Sequence, residues 1–168
     1  MREISVSELK DNMFDAIGKE WMLVTAGTPE KFNMMTASWG GTGILWGKPV
    51  AFIFIRPKRY TYEFIEKGDK LTLSFLGEAH REIHKICGSQ SGRNIDKVAA
   101  SGLKPYVTEE GYIGYEQARL VLECKKLYAD WIDADNFVDK LLINRWYGEG
   151  NGDFHKMYIL EIEHVLVK

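Results

Sequence analysis

The feature that most constrains the fold of this sequence is a succession of short β-type runs with no long helical segment between them. Residues 20–25, 32–39, 49–55, 70–76 and 156–167 are either apolar throughout or alternate between apolar and polar side chains. A doubly wound parallel sheet needs long helices between its strands, so this pattern disfavours one. The sequence predicts a mainly β fold, an antiparallel Greek-key split β-barrel with short helices covering its ends.

The remaining predicted elements are short, apart from one long β-type segment over residues 114–131 that contains a bend. Thr61 is the expected N-cap of a helix over residues 62–67, and Gly68 is expected to end it. The run at 49–55 is expected to be buried on both faces. Further expected elements are a hairpin turn at 26–29 and helices over 78–86 and 95–100.

Length and composition favour one globular domain over residues 1–168. The chain has 22 basic and 24 acidic residues, a formal net charge of -2, which disfavours a generic binder of nucleic acid or anionic membrane. The N-terminal residues do not resemble a signal peptide, and no apolar run approaches the roughly 18 residues of a membrane helix. Cys87 and Cys124 form no CxxC motif, so a reducing cytoplasm is the expected location.

The segment 33–41 concentrates polar groups immediately before two glycines. On a strand, Thr36 and Ser38 would point to one face, and Met35, Ala37 and Trp39 to the other. Two hydroxyls beside free backbone amides could bind an anion such as a phosphate. The alternative is an ordinary strand end that runs into a glycine turn.

A second segment, 56–61, places three cations directly after a predicted buried strand. Arg56, Lys58 and Arg59 precede Thr61, where a helix is expected to begin. Guanidinium groups bind phosphate in a planar fork, and a helix N-terminus adds amide donors. The alternative here is a solvated basic turn.

A third segment, 87–97, combines two glycines and two serines with Arg93 and Lys97 before a predicted helix. Successive amides of such a loop can surround an anion, although a flexible surface loop has the same composition. Hydroxyls, loop amides and cations therefore recur in three separate segments, as a phosphorylated cofactor held by several loops would require.

Histidines and aromatic residues leave other possibilities open. His80, His84 and Cys87 share one predicted helix face with zinc-like spacing, but no fourth ligand is evident, and no metal site is expected. His155 precedes the last strand, either lining a pocket or lying on the surface. The aromatic residues in or near turns, which could pack against a flat ring or belong to the core, are Trp39, Trp46, Tyr60 and Trp146.

Three motifs, taken in order, resemble the flavin reductase-like, flavoredoxin-type FMN-binding proteins. They are Asn33-x-Met35-Thr36-x-Ser38-Trp39, Arg56-Pro57-x-Arg59-Tyr60-Thr61, and Cys87-Gly88 followed by Ser91-Gly92-Arg93-x-x-Asp96-Lys97. The likeness extends from about Phe32 to the final strand. It implies a split β-barrel, usually a homodimer, that holds FMN non-covalently near the subunit interface.

The resemblance also assigns expected roles to residues of this chain. Asn33, Met35, Thr36, Ala37 and Ser38 would line the flavin and its phosphate, with Trp39 either beside the flavin or in the core. Arg56, Arg59 and Thr61 would lie at the ribityl-phosphate side. Ser91, Gly92, Arg93 and Lys97 would form the loop that closes over the cofactor, and His155 resembles the family's histidine before the last strand. Asn94 departs from the family, which often has an acidic residue there.

Two functions are consistent with the resemblance, and neither requires a catalytic side chain, since the isoalloxazine ring carries the hydride or electrons. The first is an FMN-dependent oxidoreductase that passes electrons from NAD(P)H to free flavin or to a redox partner protein. The second is a flavoredoxin-type electron carrier without nicotinamide turnover of its own. A barrel that binds another ligand or nucleic acid is a third, less favoured possibility.

Overall fold

The structure is a computed structural model that describes residues 1–148 and 153–168. Its strands are β1 (Arg2–Ile4), β2 (Met22–Thr28), β3 (Lys31–Ala37), β4 (Gly40–Leu45), β5 (Lys48–Ile55), β6 (Lys70–Phe75), β7 (Pro105–Val107), β8 (Ile113–Tyr115), β9 (Leu120–Trp131) and β10 (Lys156–Val167). Its α-helices are α1 (Met13–Asp15), α2 (Tyr60–Lys67), α3 (Arg81–Ser89), α4 (Lys97–Ser101) and α5 (Leu141–Tyr147). Shorter helical turns cover Val6–Glu8, Ala16–Glu20, Glu78–His80 and Ala134–Asn136. In the described ranges, no helix is long and apolar enough to cross a membrane.

One antiparallel sheet contains most of the strands, in the order β3-β2-β6-β9-β10-β5-β4, and β1 pairs with β10. The β2–β3 and β4–β5 hairpins lie at opposite ends of this order. The strands β6, β9 and β10 join the two hairpins, and β7 and β8 form a separate ribbon. The predicted antiparallel fold with short helices is confirmed.

The two edge strands of the sheet are consecutive in the chain. β3 ends at Ala37 and β4 begins at Gly40, so only Ser38 and Trp39 connect them. An extended chain advances at most about 3.6 Å per residue, so this link spans roughly 10 Å. The sheet must therefore curl until its edges approach, although no backbone pairing joins these two described strands. We call this gap between β3 and β4 the split.

The interior of the curled sheet is a single large apolar cluster to which strands from both hairpins contribute. Val24, Ile53, Leu73, Leu122 and Leu160 are all essentially inaccessible to solvent within it. Burial of each such side chain stabilises the fold by about 1.5–3 kcal/mol before entropy is counted. The core therefore gives the split a rigid support.

Several element predictions need correction. Arg59, not Thr61, is the N-cap of α2, because Thr61 lies inside the first turn and its hydroxyl accepts a hydrogen bond from Asn33 of β3. β2 continues to Thr28, so its turn comes later than predicted. Phe52 and Phe54 of β5 are only half-buried, so the run at 49–55 is not buried on both faces. The glycine-rich stretch after Trp39 forms β4.

Candidate functional site

Two adjoining pockets lie along β3, next to the split, and most of the predicted site residues line them. The Trp39 pocket has a volume of about 180 Å³ and the Lys97 pocket one of about 200 Å³. Met35 and Arg59 line both pockets and form the boundary between them. The Trp39 pocket is lined by Met35, Thr36, Ala37, Ser38, Trp39, Phe54, Arg56, Arg59 and His155. The Lys97 pocket is lined by Met35, Lys58, Arg59, Tyr60, Thr61, Ser89, Gln90, Ser91 and Lys97.

Asn33 organises the wall of the Lys97 pocket without lining it. Its Nδ2 atom donates to the Thr61 hydroxyl at 2.8 Å and to the Met34 carbonyl at 3.3 Å. Both Asn33 and Thr61 are buried, so this bond holds β3 against the first turn of α2. Gly92 packs so closely on Asn33 that a Cβ at this glycine would lie 2.1 Å from Oδ1.

Lys97 places a buried ammonium group in the pocket named after it. Its Nζ atom donates to the carbonyls of Met34 and Cys87, each at 2.8 Å, and the residue is only 5% exposed. Burial lowers the pKa of Lys97 to about 8, so the group still carries its charge for the most part at pH 7. An ammonium has three N–H donors, and two carbonyls leave one for a ligand.

Arg59 supplies a second cation on the same wall. Its Nη1 atom donates to the Gly88 carbonyl at 2.9 Å, while Nη2 is buried with no hydrogen-bond partner among the described residues. Burial lowers the Arg59 pKa, but a guanidinium remains charged in proteins. A buried donor without a partner costs free energy, which an anion in the pocket would recover.

The third predicted segment also contributes Ser89, Gln90 and Ser91 to the lining of the Lys97 pocket, and a hydrogen-bonded turn follows Ser91. The Ser91 carbonyl accepts from the amides of Asn94 and Ile95 at 3.0 and 3.2 Å, and the Ser91 hydroxyl accepts from the Arg93 amide. The Arg93 side chain pairs with Glu63, donates to the Lys58 carbonyl, and lies 4.6 Å from the ring centre of Tyr60. The structure therefore places Ser91 at the pocket and Arg93 outside its lining.

Thr36 uses its hydroxyl to hold a helix. The hydroxyl donates to the His84 carbonyl at 2.7 Å and lies 3.3 Å from His84 Nδ1, which joins β3 to α3. Its one O–H donor is thus already engaged. The predicted alternation of side chains holds for Met35, Thr36 and Ala37 but ends with the strand.

Arg56 likewise has structural partners. Its Nη2 and Nη1 atoms donate to the carbonyls of Trp146 and Asp153 at 2.8 and 3.0 Å, and its guanidinium lies 5.0 Å from the Tyr147 ring centre. The group therefore fastens the end of α5 beside the start of β10. Its positive charge still faces the Trp39 pocket.

Trp39 and His155 form the aromatic side of the split. Their ring centres are 5.2 Å apart, and Trp146 packs edge-on against Trp39 at 4.9 Å. The Tyr147 hydroxyl lies 2.7 Å from His155 Nδ1 and so orients the imidazole. Burial, assisted by the Arg56 charge, lowers the His155 pKa to about 4, so the ring is neutral at pH 7. Trp39 is 39% exposed and lines the pocket instead of the core.

Sequence reasoning missed some of the residues that shape the site. Phe54 lines the Trp39 pocket from β5, and Tyr147 orients His155 from α5. Phe54 could have been found from strand alternation, because it points to the face opposite the buried side chains of Ile53 and Ile55. The role of Tyr147 could not be recognised in the sequence, because it depends on how α5 is placed next to the residues that precede β10.

A larger pocket, the Phe14 pocket, lies on the other side of the link between β3 and β4. It has a volume of about 600 Å³ and shares Ser38 and Trp39 with the Trp39 pocket. Phe14, which is 91% exposed, and Ile17 line it. Asp11, its one acidic residue, is held by Arg119 at 2.6 Å. The pocket is therefore apolar and offers no unpaired charge.

The chemistry of the two pockets at the split suits an amphiphilic ligand. An aromatic wall around Trp39 and His155 can pack against a flat ring, and Arg59 and Lys97 can bind an anionic group attached to it. No three described His, Cys, Asp or Glu side chains are placed to hold a metal ion. The site accordingly favours an organic anion as its ligand.

The family model described as "Flavin reductase like domain" matches residues 14–168, nearly the whole chain. No curated protein matches the sequence.

Solved structures with the same fold have low sequence identity to this chain. An FMN-binding protein from Thermus thermophilus has a TM-score of 0.69 at 20% identity, covering 100% of this chain and 82% of that one. Flavoredoxin of Desulfovibrio vulgaris (Miyazaki F) has 0.67 at 22%, covering 99% and 77%. Flavoredoxin from Methanosarcina acetivorans has 0.67 at 17%, covering 89% and 68%. At these identities the likeness shows the fold.

Proposed function

Since the chain belongs to the Flavin reductase like domain family, we propose that it is a flavoprotein that binds FMN non-covalently at the split. The flavin ring would occupy the Trp39 pocket, and the phosphate would occupy the Lys97 pocket. This arrangement matches the aromatic and the cationic halves of the site to the two halves of the ligand.

The single observation that carries the proposal is the pair of cations in the Lys97 pocket, the buried Lys97 and the half-buried Arg59. Nη2 of Arg59 has no partner in the described part of the chain, and Lys97 keeps one donor beyond its two carbonyl bonds. Two like charges in one small pocket repel each other, and the Arg59 charge adds to burial, the main cause, in lowering the Lys97 pKa. A phosphate would relieve this repulsion and satisfy both donors.

The protein's contribution to the chemistry is binding and orientation. A bound flavin supplies hydride and single-electron transfer. Asn33 and Thr61 fix the pocket wall, and Trp39 and His155 would pack against the ring. His155 remains neutral at pH 7 because of its low pKa, so it adds hydrogen bonding but no charge beside the ring.

We further propose that the protein is an oxidoreductase that passes electrons from NAD(P)H through FMN to a flavin or protein acceptor. The alternative is an electron carrier of the flavoredoxin type, which would exchange electrons with a partner protein and oxidise no nicotinamide itself. The match to a reductase-like family supports the first function, and the fold shared with two flavoredoxins supports the second.

Two measurements test these proposals. Full-length protein freed of flavin should bind FMN with quenching of flavin fluorescence, and absence of binding would contradict the flavoprotein assignment. Stopped-flow mixing of the FMN complex with NADH or NADPH should then bleach the flavin absorbance rapidly. A complex that binds FMN but is not reduced by either nicotinamide would identify a carrier.

A homodimer is proposed on separate grounds. Phe14 and Ile44 are exposed apolar side chains, and the edge strand β4 that carries Ile44 pairs on only one side. A second copy seated over the Phe14 pocket would cover this surface and lie beside Trp39. Light scattering should give twice the chain mass, and Phe14→Ser should shift the protein toward the monomer. A wild-type monomer at high micromolar concentration would contradict this proposal.

A further inference from the structure

Next to the Trp39 pocket, helix α3 carries two polar side chains that the proposed flavin site does not use. These are Arg81 and His84, one turn apart on the helix. Trp21, the residue before β2, packs on both: the guanidinium carbon of Arg81 lies 3.9 Å from its ring centre, and the His84 ring lies edge-on at 6.1 Å. Thr36 joins them to the pocket, because it lines the pocket and its hydroxyl contacts His84. We call Trp21, Arg81 and His84 the α3 cluster.

Two atoms of the α3 cluster are buried without a hydrogen-bond partner. Neither Nη1 of Arg81 nor Nε2 of His84 has one among the described residues. His84 is only 1% exposed, so its nitrogen is out of reach of bulk water. Nearly all buried polar atoms in folded proteins are paired, because an unpaired one is costly. Two such atoms on neighbouring side chains of one helix indicate that they share a partner.

The backbone of Trp21 also indicates that the α3 cluster is held in place. Its φ of 72° and ψ of 164° lie in a region that is essentially restricted to glycine. Such strain persists only where the surrounding structure imposes it. The guanidinium stacked on the indole and the imidazole at its edge are contacts that can do so.

The contacts of Thr36 determine which ring nitrogen of His84 carries the proton. The Thr36 hydroxyl donates to the His84 carbonyl at 2.7 Å, because a carbonyl can only accept. The same oxygen lies 3.3 Å from His84 Nδ1, and since its one proton is engaged it can only accept there. Nδ1 must therefore carry the proton, and Nε2 is left as an acceptor.

Nε2 of His84 and Nη1 of Arg81 are complementary. Burial, assisted by the charges of Arg81 and His80, lowers the His84 pKa to about 4, so at pH 7 the imidazole is neutral and Nε2 keeps its lone pair. The guanidinium can only donate. A donor and an acceptor therefore lie near each other, each buried without a protein partner among the described residues. A water molecule can accept from the first and donate to the second, as buried waters commonly do.

We propose that Arg81 and His84 are positioning residues for the Trp39 pocket. One enclosed water accepts from Arg81 Nη1 and donates to His84 Nε2, which keeps the ring proton on Nδ1 and directs it at Thr36. The Thr36 hydroxyl is thereby fixed, with its proton on the His84 carbonyl and one lone pair left for a ligand. The pocket consequently offers an acceptor at Thr36 and favours a ligand that places an N–H or O–H group there. The hydrogen-bond assignment is independent of the ligand, whereas its effect on flavin binding rests on the proposed function.

The experiment reads the tautomer of His84 by long-range ¹H–¹⁵N NMR correlation of the full chain at pH 7 without ligand. A ring nitrogen without a proton resonates far downfield of a protonated one, and the coupling of Hδ2 identifies Nε2. The variant His84→Gln assigns the signals, because they disappear from its spectrum. We expect Nε2 to be unprotonated in the wild type. A protonated Nε2, or exchange between the two tautomers, would overturn the inference.

Arg81→Met tests the contribution of Arg81, because it removes the donor and keeps an unbranched side chain against Trp21. The proton of His84 should then shift toward Nε2, the position that neutral histidine prefers in water. Riboflavin, which reports on the ring pocket without the phosphate, should bind about threefold to tenfold more weakly, the scale of one hydrogen bond. An Arg81→Met spectrum in which Nε2 stays unprotonated would overturn the positioning role of Arg81.

The matched control is Lys85→Met, which removes an exposed cation from the same helix. Its ammonium pairs with Glu82, and the His84 signals and riboflavin affinity should stay unchanged. An equal loss of affinity in both variants would assign the effect to the helix as a whole and overturn the inference. Wild-type protein that binds no flavin but has the expected tautomer would overturn the proposed function alone. Flavin binding with a protonated Nε2 would overturn this inference alone.

Discussion

The side-chain amide of Asn33 donates to the hydroxyl of Thr61 at 2.8 Å, and both residues are buried. This bond joins two of the three segments in which the sequence concentrates hydroxyls and cations. Gly92, from the third segment, packs directly on Asn33 Oδ1. One amide side chain thus contacts residues of the other two segments and links all three.

Gly92→Ala tests this junction. The added Cβ would lie 2.1 Å from Asn33 Oδ1 and 3.2 Å from Tyr60 Cδ1, so the Asn33 amide would have to move and release Thr61. We expect the free energy of unfolding in urea to fall by about 1–3 kcal/mol, the usual cost of overpacking. Gly18→Ala, whose Cβ would meet nothing within 4 Å, is the control, and an equal loss in both variants would refute the role given to Gly92.

Arg59→Ala tests the phosphate assignment. Loss of the guanidinium, whose Nη2 atom is buried without a partner, should weaken FMN binding by about 1.5–3 kcal/mol, the scale of a hydrogen bond to a charged group. Riboflavin, which lacks the phosphate, should bind wild type and variant equally well. Fluorescence titration of the two ligands measures both effects. A variant that loses riboflavin to the same extent would show that Arg59 supports the ring instead.

The affinity for FMN should depend on pH because Lys97 and the phosphate both titrate. Burial lowers the Lys97 pKa to about 8 in the free protein, so above that pH the ammonium loses its proton and binding weakens. A phosphate monoester takes up its second proton near a pKa of about 6, so binding also weakens below that pH. FMN affinity should therefore peak between the two values.

Riboflavin provides the control for this pH dependence, since it carries no phosphate. Its affinity should stay level across the same range, and Lys97→Met should remove the alkaline decline of FMN binding. A wild-type FMN affinity that does not change from neutral to alkaline pH would contradict a charged Lys97 beside the phosphate.

Thr36→Ala should act through the packing of α3. The variant leaves the buried His84 carbonyl without the 2.7 Å bond from the Thr36 hydroxyl, which should lower the free energy of unfolding by about 1 kcal/mol. Thr36→Ser retains the hydroxyl and should recover most of this loss. Both ligands, FMN and riboflavin, should weaken together in Thr36→Ala. A selective loss of FMN would instead assign Thr36 to the phosphate.

Much of the fold could be predicted because its central strands carry strong local patterns. β3, β6 and β10 alternate or are continuously apolar, and the structure contains them within a residue or two of the predicted bounds. β4 could not be predicted, since glycine is depleted in strands and three of its six residues are glycine. β4 is extended because it pairs with β5, and the sequence of β4 itself does not indicate this pairing.

The sequence indicated which segments line the two pockets, but it did not indicate which side chains in those segments face them. Arg59 and Lys97 both line the Lys97 pocket, whereas Arg56 fastens α5 and Arg93 pairs with Glu63. All four are cations in segments with the composition of an anion-binding loop. Residue type alone therefore does not tell which of them line the pocket and which bind other parts of the protein. What separates them is which acceptors the fold places within reach, a property of residues distant in sequence.

The order of the strands also sets the order in which the site can be assembled. Both hairpins and most of the pocket lining precede residue 100, yet the hairpins are joined through β9 and β10, which come late in the chain. β10 alone pairs with β5 on the side opposite β4, and His155 immediately precedes it. During synthesis the β4–β5 hairpin therefore has no place in the sheet until β10 pairs with β5, and the pockets lined from both hairpins are complete only after that pairing.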